Sequence, residues 1–217
     1  AAEIARRLLA AGRAAEALGF IERAEVKEAR WIPAEWQDAR LAVLEALDRK
    51  DEAQAFRWAC FARDLSVEHL RAYLKRLPDF DDIEAEERAM AHAAAHPGLL
   101  PALGFFLDWP SPDHAARLLI DRHGEIDGDH YEFLVPAAEA LSDRHPLAAT
   151  LALRAMIDFT LSKARSKRYG YAARHLATCG DLAGRIEDFA PVETHDAYVA
   201  RLKSEHGRKS GFWGHFA

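Results

Sequence analysis

Glycine, proline and cysteine are sparse in this chain, at 12, 9 and 2 of 217 residues. The glycines and prolines fall mostly between periodic segments, as at Gly12, Pro33, Pro78, Pro97-Gly98, Pro110 and Pro146, so they separate elements rather than interrupt them. Runs of alternating β-branched residues are missing, which removes the signature of a sheet. The two cysteines, Cys60 and Cys179, lie far apart on segments expected to be helical and largely buried. They supply neither a disulfide framework nor a CxxC metal pattern, and a reducing cytoplasm is the expected location. The most apolar stretch, Pro146 to Leu161, is broken by Arg154 and Asp158 and is too short to span a bilayer. No charged-then-apolar leader opens the chain, so neither secretion nor a membrane is expected. GxSxG, a Gly-rich phosphate loop and a Cys beside a plausible His partner are absent too. The expectation is a protein that is not an enzyme and needs no cofactor.

What the chain does contain is repetition. Ala11 to Ala24, AGRAAEALGFIERA, returns 36 residues later as Leu47 to Cys60, LDRKDEAQAFRWAC, with Arg13/Arg49, Glu16/Glu52 and Ala17/Ala53 in register. A short polar turn followed by Glu-Ala and an apolar stripe, at a period near about 34 residues, describes stacked antiparallel helix pairs. Half of the residues are apolar and helix formers dominate. The predicted fold is therefore all-α, a right-handed superhelix of helix hairpins built as one domain over residues 1–217, with the hairpins clearest in 1–77 and divergent in 78–217.

Apolar periodicity and stop signals predict helices at 2–11, 14–28, 34–48, 51–63 and 66–77, the last with Ser66 as N-cap. Pro78 ends this series, and six acids in Asp79 to Glu87 suit the positive end of a new helix dipole. Further helices are expected at 83–95, 99–107, 112–122, 130–142, 146–164, 168–180 and 193–206. The formal charge of −6 argues against indiscriminate binding to nucleic acid or anionic membrane. It is unevenly spread: residues 163–217 carry ten Lys/Arg against six Asp/Glu, leaving −10 on the residues before them. Such polarity suits an anionic partner or a second copy of the chain, so a homo-oligomer is an open expectation.

Four segments invite a chemical reading. His92 and His96, four apart, could chelate a metal, but the residues between them are Ala-Ala-Ala, and His96 reads instead as a helix C-terminal cap before Pro97. Glu125, Asp127 and Asp129 around Gly128 lack the continuation of a calcium loop, and Asp129 reads as a helix N-cap. In Ser162 to Leu176, Lys163, Arg165, Lys167, Arg168 and Arg174 interleave with Tyr169 and Tyr171; cations beside aromatics can neutralise phosphates and stack on bases. The competing reading gives those cations to a helix C-terminus and Tyr169 to a packing stripe. The C-terminal Arg201, Lys203, His206, Arg208 and Lys209 add to the same patch, and the tail HGRKSGFW offers Phe212-Trp213 either to a partner or to the last hairpin as a cap. No metal site is expected.

The two repeated segments resemble the second-helix half of tetratricopeptide repeats, in which a Gly-Asp-Tyr-like turn precedes Glu-Ala and an apolar stripe. RWACFARDLSVEHLRAYLKRLPDFDD, HPLAATLALRAMIDFTLSKARSKRYGYAARHL and HGRKSGFW together resemble a group of bacterial proteins of unknown function that carry such helical regions. The resemblance implies a helical-repeat fold and assigns no activity. The expected function is a non-enzymatic helical-repeat scaffold that binds a protein or peptide on its concave face. The alternative is anion or nucleic-acid binding through the basic 163–175 segment, with Lys163, Arg165, Lys167, Arg168, Tyr169, Arg174, Arg208 and Lys209 as the candidate contacts.

Overall fold

A computed structural model describes residues 1–23 and 32–216. Among them there are thirteen α-helices, three short 3-10 turns and no strand, so the chain is all-α. The end of the expected 14–28 helix and Trp31 lie outside the described residues. Contacts divide the chain into two units, residues 1–92 and 93–217.

In the first unit, α1 (Ala2–Ala10) packs on α2 (Ala14–Arg23) and α3 (Ala34–Ala46), α2 packs on α3, and α3 on α4 (Lys50–Asp64). Ala5, Ala17, Leu18, Ile21, Trp36, Val43, Leu44 and Ala53 form their shared core. The register seen in the sequence has a structural cause. Gly12 and Asp48 both take left-handed backbone conformations, at φ 72° and 54°. After each, the next arginine N–H reaches back five residues, Arg13 to the Leu8 carbonyl and Arg49 to the Leu44 carbonyl, both at 2.9 Å. This is the bond that closes a helix whose last turn ends in a left-handed residue. The same arginines then clasp the glutamate three residues on, Arg13 on Glu16 at 2.7 and 2.6 Å and Arg49 on Glu52. Ala17 and Ala53, fully buried, let the helices of each pair approach closely.

Helix α5 (Val67–Leu74) is capped by Ser66, whose hydroxyl accepts the His69 N–H at 3.3 Å. It stops short of the expected residue 77, and Phe80 before α6 (Asp81–Ala94) is left-handed and almost wholly exposed. Within the first unit α6 is held by Arg88, which lies 4.2 Å from the Trp58 ring centre and donates to the Tyr73 hydroxyl at 3.0 Å. His92 Nε2 donates to the Ala62 carbonyl at 2.8 Å.

The second unit is arranged around α10 (Pro146–Ser162), which is buried along most of its length and packs on α8 (Pro112–Asp121), α9 (Tyr131–Leu141) and α11 (Tyr169–Ala183). A helix that is apolar on nearly every face has to sit inside its neighbours. Helix α7 (Leu99–Asp108) covers α8 and α9, and α12 (His195–His206) follows α11 across the loop 184–194. The turn after α10 repeats the one after α1: Ala164 is left-handed at φ 50°, and the Arg165 N–H reaches the Thr160 carbonyl at 2.9 Å.

One glycine is demanded by packing. A Cβ on Gly128 would stand 2.0 Å from the Ala155 carbonyl oxygen and 2.8 Å from the Phe159 Cβ, so only glycine lets the 126–130 loop lie against α10. Asp129 is not the N-cap expected of it. His130 occupies that position before α9, while the Asp129 carboxylate turns away to accept from Arg168 at 3.0 Å.

Candidate functional site

The second unit holds a cleft of about 610 Å³ on the flank of α10, between the 126–128 loop on one side and Val192, Glu193 and α12 on the other. Arg154 and Asp158, which interrupt the apolar pattern of α10, lie one helical turn apart and so face the same way. Both line the cleft, as do Tyr198, Arg201 and Glu205 from α12. Thr194 starts α12 by accepting the Ala197 N–H at 3.4 Å, and that start sets Tyr198 and Arg201 opposite α10.

All three guanidinium nitrogens of Arg201 are engaged. Its Nε donates to Glu193 at 2.8 Å, Nη2 to Asp158 at 3.2 Å and Nη1 to Glu205 at 3.3 Å. The Tyr198 hydroxyl donates to the other Asp158 oxygen at 3.1 Å. Burial, opposed by Arg201, raises the Asp158 carboxyl above the usual carboxylate range. Burial, reinforced by the Asp158 charge, pushes the Tyr198 phenol well above its ordinary value.

Arg154 differs from Arg201 in kind. It is 5% exposed, and its guanidinium lies 4.3 Å from the Tyr198 ring centre and 5.6 Å from that of Phe189. Nη1 donates to the Glu193 carbonyl at 2.8 Å. Nε and Nη2 are sealed from solvent and have no hydrogen-bond partner, and His195 Nδ1 is in the same condition. Burial lowers the Arg154 pKa; burial and then the Arg154 charge lower that of His195. Buried donors without acceptors are uncommon and costly, about 1–3 kcal/mol for each group left unmet.

The arrangement offers hydrogen-bond donors, carboxylates and aromatic faces. It offers no activated thiol: burial pushes Cys179 up to about 12 and Cys60 up to about 11. No group of three or more His, Cys, Asp or Glu able to hold a metal occurs among the described residues. His92 is engaged with Ala62, and His96 Nδ1 accepts the Gly98 N–H at 3.0 Å in the turn after α6.

The residues expected from sequence lie elsewhere in this unit. Lys163, Arg165 and Lys167 are exposed around the turn after α10. Arg168 is engaged with Asp129 and stacks 4.6 Å from the Tyr131 ring centre. Arg174 lies 4.5 Å from the Tyr171 ring centre on the exposed side of α11. The tail folds back: Phe212 of α13 (Ser210–Trp213) is fully buried, meets Tyr169 edge to face at 6.2 Å, and carries Arg208 and Lys209 to the start of α11. Trp213 Nε1 donates to the His206 carbonyl at 3.0 Å. Of the two roles weighed for the aromatic pair, this is the cap.

Sequence reading takes Arg154 and Asp158 only as breaks in an apolar run, gives Arg201 to the basic patch rather than to this cleft, and passes over Tyr198. The available signal was the spacing of Arg154 and Asp158, two charges one turn apart on the most apolar helix.

A family model described as a family of unknown function (DUF6880) matches residues 1–215. The chain belongs to this family. No curated protein and no solved structure matches the chain. The match agrees with the resemblance to a group of unknown function and assigns no role to the cleft. No helix among the described residues is long and apolar enough to cross a membrane.

Proposed function

We propose that the protein is a non-enzymatic helical scaffold that holds a segment of another protein or a peptide, and that the cleft beside α10 receives it. The observation that carries this reading is the cleft itself. It is wide enough for several side chains, and its wall holds a buried guanidinium with unpaired nitrogens. Concave sites with a few convergent polar groups in apolar walls are where ligands bind. The paired helices α1 to α4, closed by matching left-handed turns, support a tetratricopeptide-like frame, since such hairpins bury their stripes only by stacking. A photo-crosslinking residue at Ser162, which is exposed and lines the cleft, should give a discrete adduct in the source cell. The same residue at Ala177, exposed on α11, should not. No adduct at Ser162, or equal adducts at both, would remove the reading.

A second reading is anion or nucleic-acid binding at the turn after α10. It is favoured by the packing of α13 on the start of α11, which brings Arg208 and Lys209 to the end that carries Lys163, Arg165 and Lys167. Charge reversal at Arg165 and Lys167 is the appropriate test, because Arg168 is occupied by Asp129. Affinity for single-stranded oligonucleotide should fall steeply with salt and fall further in the double variant; a salt-independent signal discards it.

A further inference from the structure

We propose that Arg154 anchors a carboxylate carried by the ligand of the cleft. The inference rests on reading the cleft as a protein- or peptide-binding site.

One edge of the Arg154 guanidinium is unpartnered. Nε–H and one Nη2–H point the same way and match the two oxygens of a carboxylate. This chain uses that edge repeatedly. Arg13 takes both Glu16 oxygens with Nε and Nη2, Arg49 does the same with Glu52, and Arg122 with Glu125. Arg57, the other buried arginine among the described residues, has Glu45 on its Nη2. Among the described residues, Arg154 alone combines deep burial, an occupied Nη1 and an empty Nε/Nη2 edge.

Neighbouring carboxylates do not fill the edge. Asp158 accepts from Tyr198 and Arg201, and Glu193 and Glu205 are both on Arg201. The Arg154 plane is held by the Tyr198 and Phe189 rings and by the Glu193 carbonyl, so little side-chain entropy remains to be lost on binding. The ligand charge is bounded as well. One unpaired guanidinium stands among carboxylates already present in the cleft, which suits a single negative charge and works against a dianionic phosphate. A side-chain Asp or Glu and a peptide C-terminus share this chemistry.

The signature separating a binding arginine from a structural one is opposite movement of stability and affinity. Arg154→Met removes buried unpaired donors and keeps most of the apolar volume. It should raise the Tm of the ligand-free protein by about 2–4 °C. Carboxylate binding is read from the Arg154 Nε–H resonance during titration with N-acetylalanine, with N-acetylalanine amide, chloride and inorganic phosphate as comparisons at constant ionic strength. The carboxylate should shift the resonance saturably while the amide and chloride leave it in place. Arg154→Lys, which keeps the charge without the two-pronged edge and is followed through the backbone amide of Tyr198, should weaken binding about 10–100-fold.

A resonance unmoved by N-acetylalanine, moved equally by its amide, or moved more strongly by phosphate overturns the proposal. So does a Tm lowered in Arg154→Met, the outcome of a purely structural arginine. The Ser162 crosslink separates the two layers: an adduct that persists in Arg154→Met keeps the binding site and discards the carboxylate, and a successful titration without any adduct does the reverse.

Discussion

The turn arginines of residues 1–92 pair close by in sequence, whereas Arg154, Arg168 and Arg201 of residues 93–217 reach distant partners, Arg201 in addition to Glu205 four residues on. Arg13 and Arg49 each clasp a glutamate three residues on. Arg154 donates to a carbonyl 39 residues away, Arg201 to a carboxylate 43 away, and Arg168 to one 39 away. The local pairs lie on exposed surface and repeat with the hairpins. The distant ones fix a loop and a helix against α10, and one of them leaves half of its guanidinium unused. The difference teaches that in this chain the repeated turns are tied by near neighbours in sequence, while the contacts around α10 join residues that are far apart in it.

The sharpest way to break that comparison is to remove a distant contact and find no effect. Phe212→Ala should cost about 3–4 kcal/mol by emptying a fully buried site, measured by urea denaturation; a negligible change would mean that the tail is not anchored on α11. Gly128→Ala should cost about 2–3 kcal/mol, because the added methyl meets the Ala155 carbonyl. It should also perturb the α10 resonances that line the cleft.

Acidification probes both units together. Burial, the largest cause in each case, lowers the pKa of His69, His175 and His195 below the ordinary 6.5. Below that value the unfolded chain binds protons that the folded chain refuses, so stability is full at neutral pH and falls as pH drops from about 6.5. Asp158, raised by burial, works in the other direction at lower pH, since the folded state keeps its proton after the unfolded state has released its own. The Tm should therefore be lower at pH 5.5 than at pH 7.5, and His175→Gln should flatten the slope. An unchanged Tm across that range would refute the assignment.

Smaller effects belong to the turns. Ala164→Gly relieves a left-handed alanine and should stabilise by up to about 1 kcal/mol, offset by the freer unfolded chain. Arg13→Ala, which breaks only an exposed local pair, should leave the Tm unchanged within error. A large loss there would mean that the hairpin turns carry more of the stability than their exposure allows.

The frame was legible in the sequence because its causes are local. Ser66 caps α5 as read, Pro112 and Pro146 each open a helix, and the Gly12 and Asp48 turns share one hydrogen-bond pattern. Asp129 was misplaced because an acid before an apolar run satisfies the local rule for a cap, whereas its actual partner, Arg168, is 39 residues away. The cleft was invisible for the same reason. Only the folded chain brings Tyr198 and Arg201 to Arg154 and Asp158. The basic turn drew attention because charge clusters show in one dimension, and its Arg168 proved to be tied to a loop.

The sealing of Arg154 has a consequence for timing. Its Nε and Nη2 are closed to water in the free protein, so an incoming group cannot meet them by simple collision. The side chains that cover them have to move first if the proposed carboxylate is to bind. On the proposed reading, association would then be paced by how often that cover opens and would be insensitive to ligand concentration once ligand is plentiful. Release waits for the same opening, so a modest equilibrium affinity is compatible with a long-lived complex.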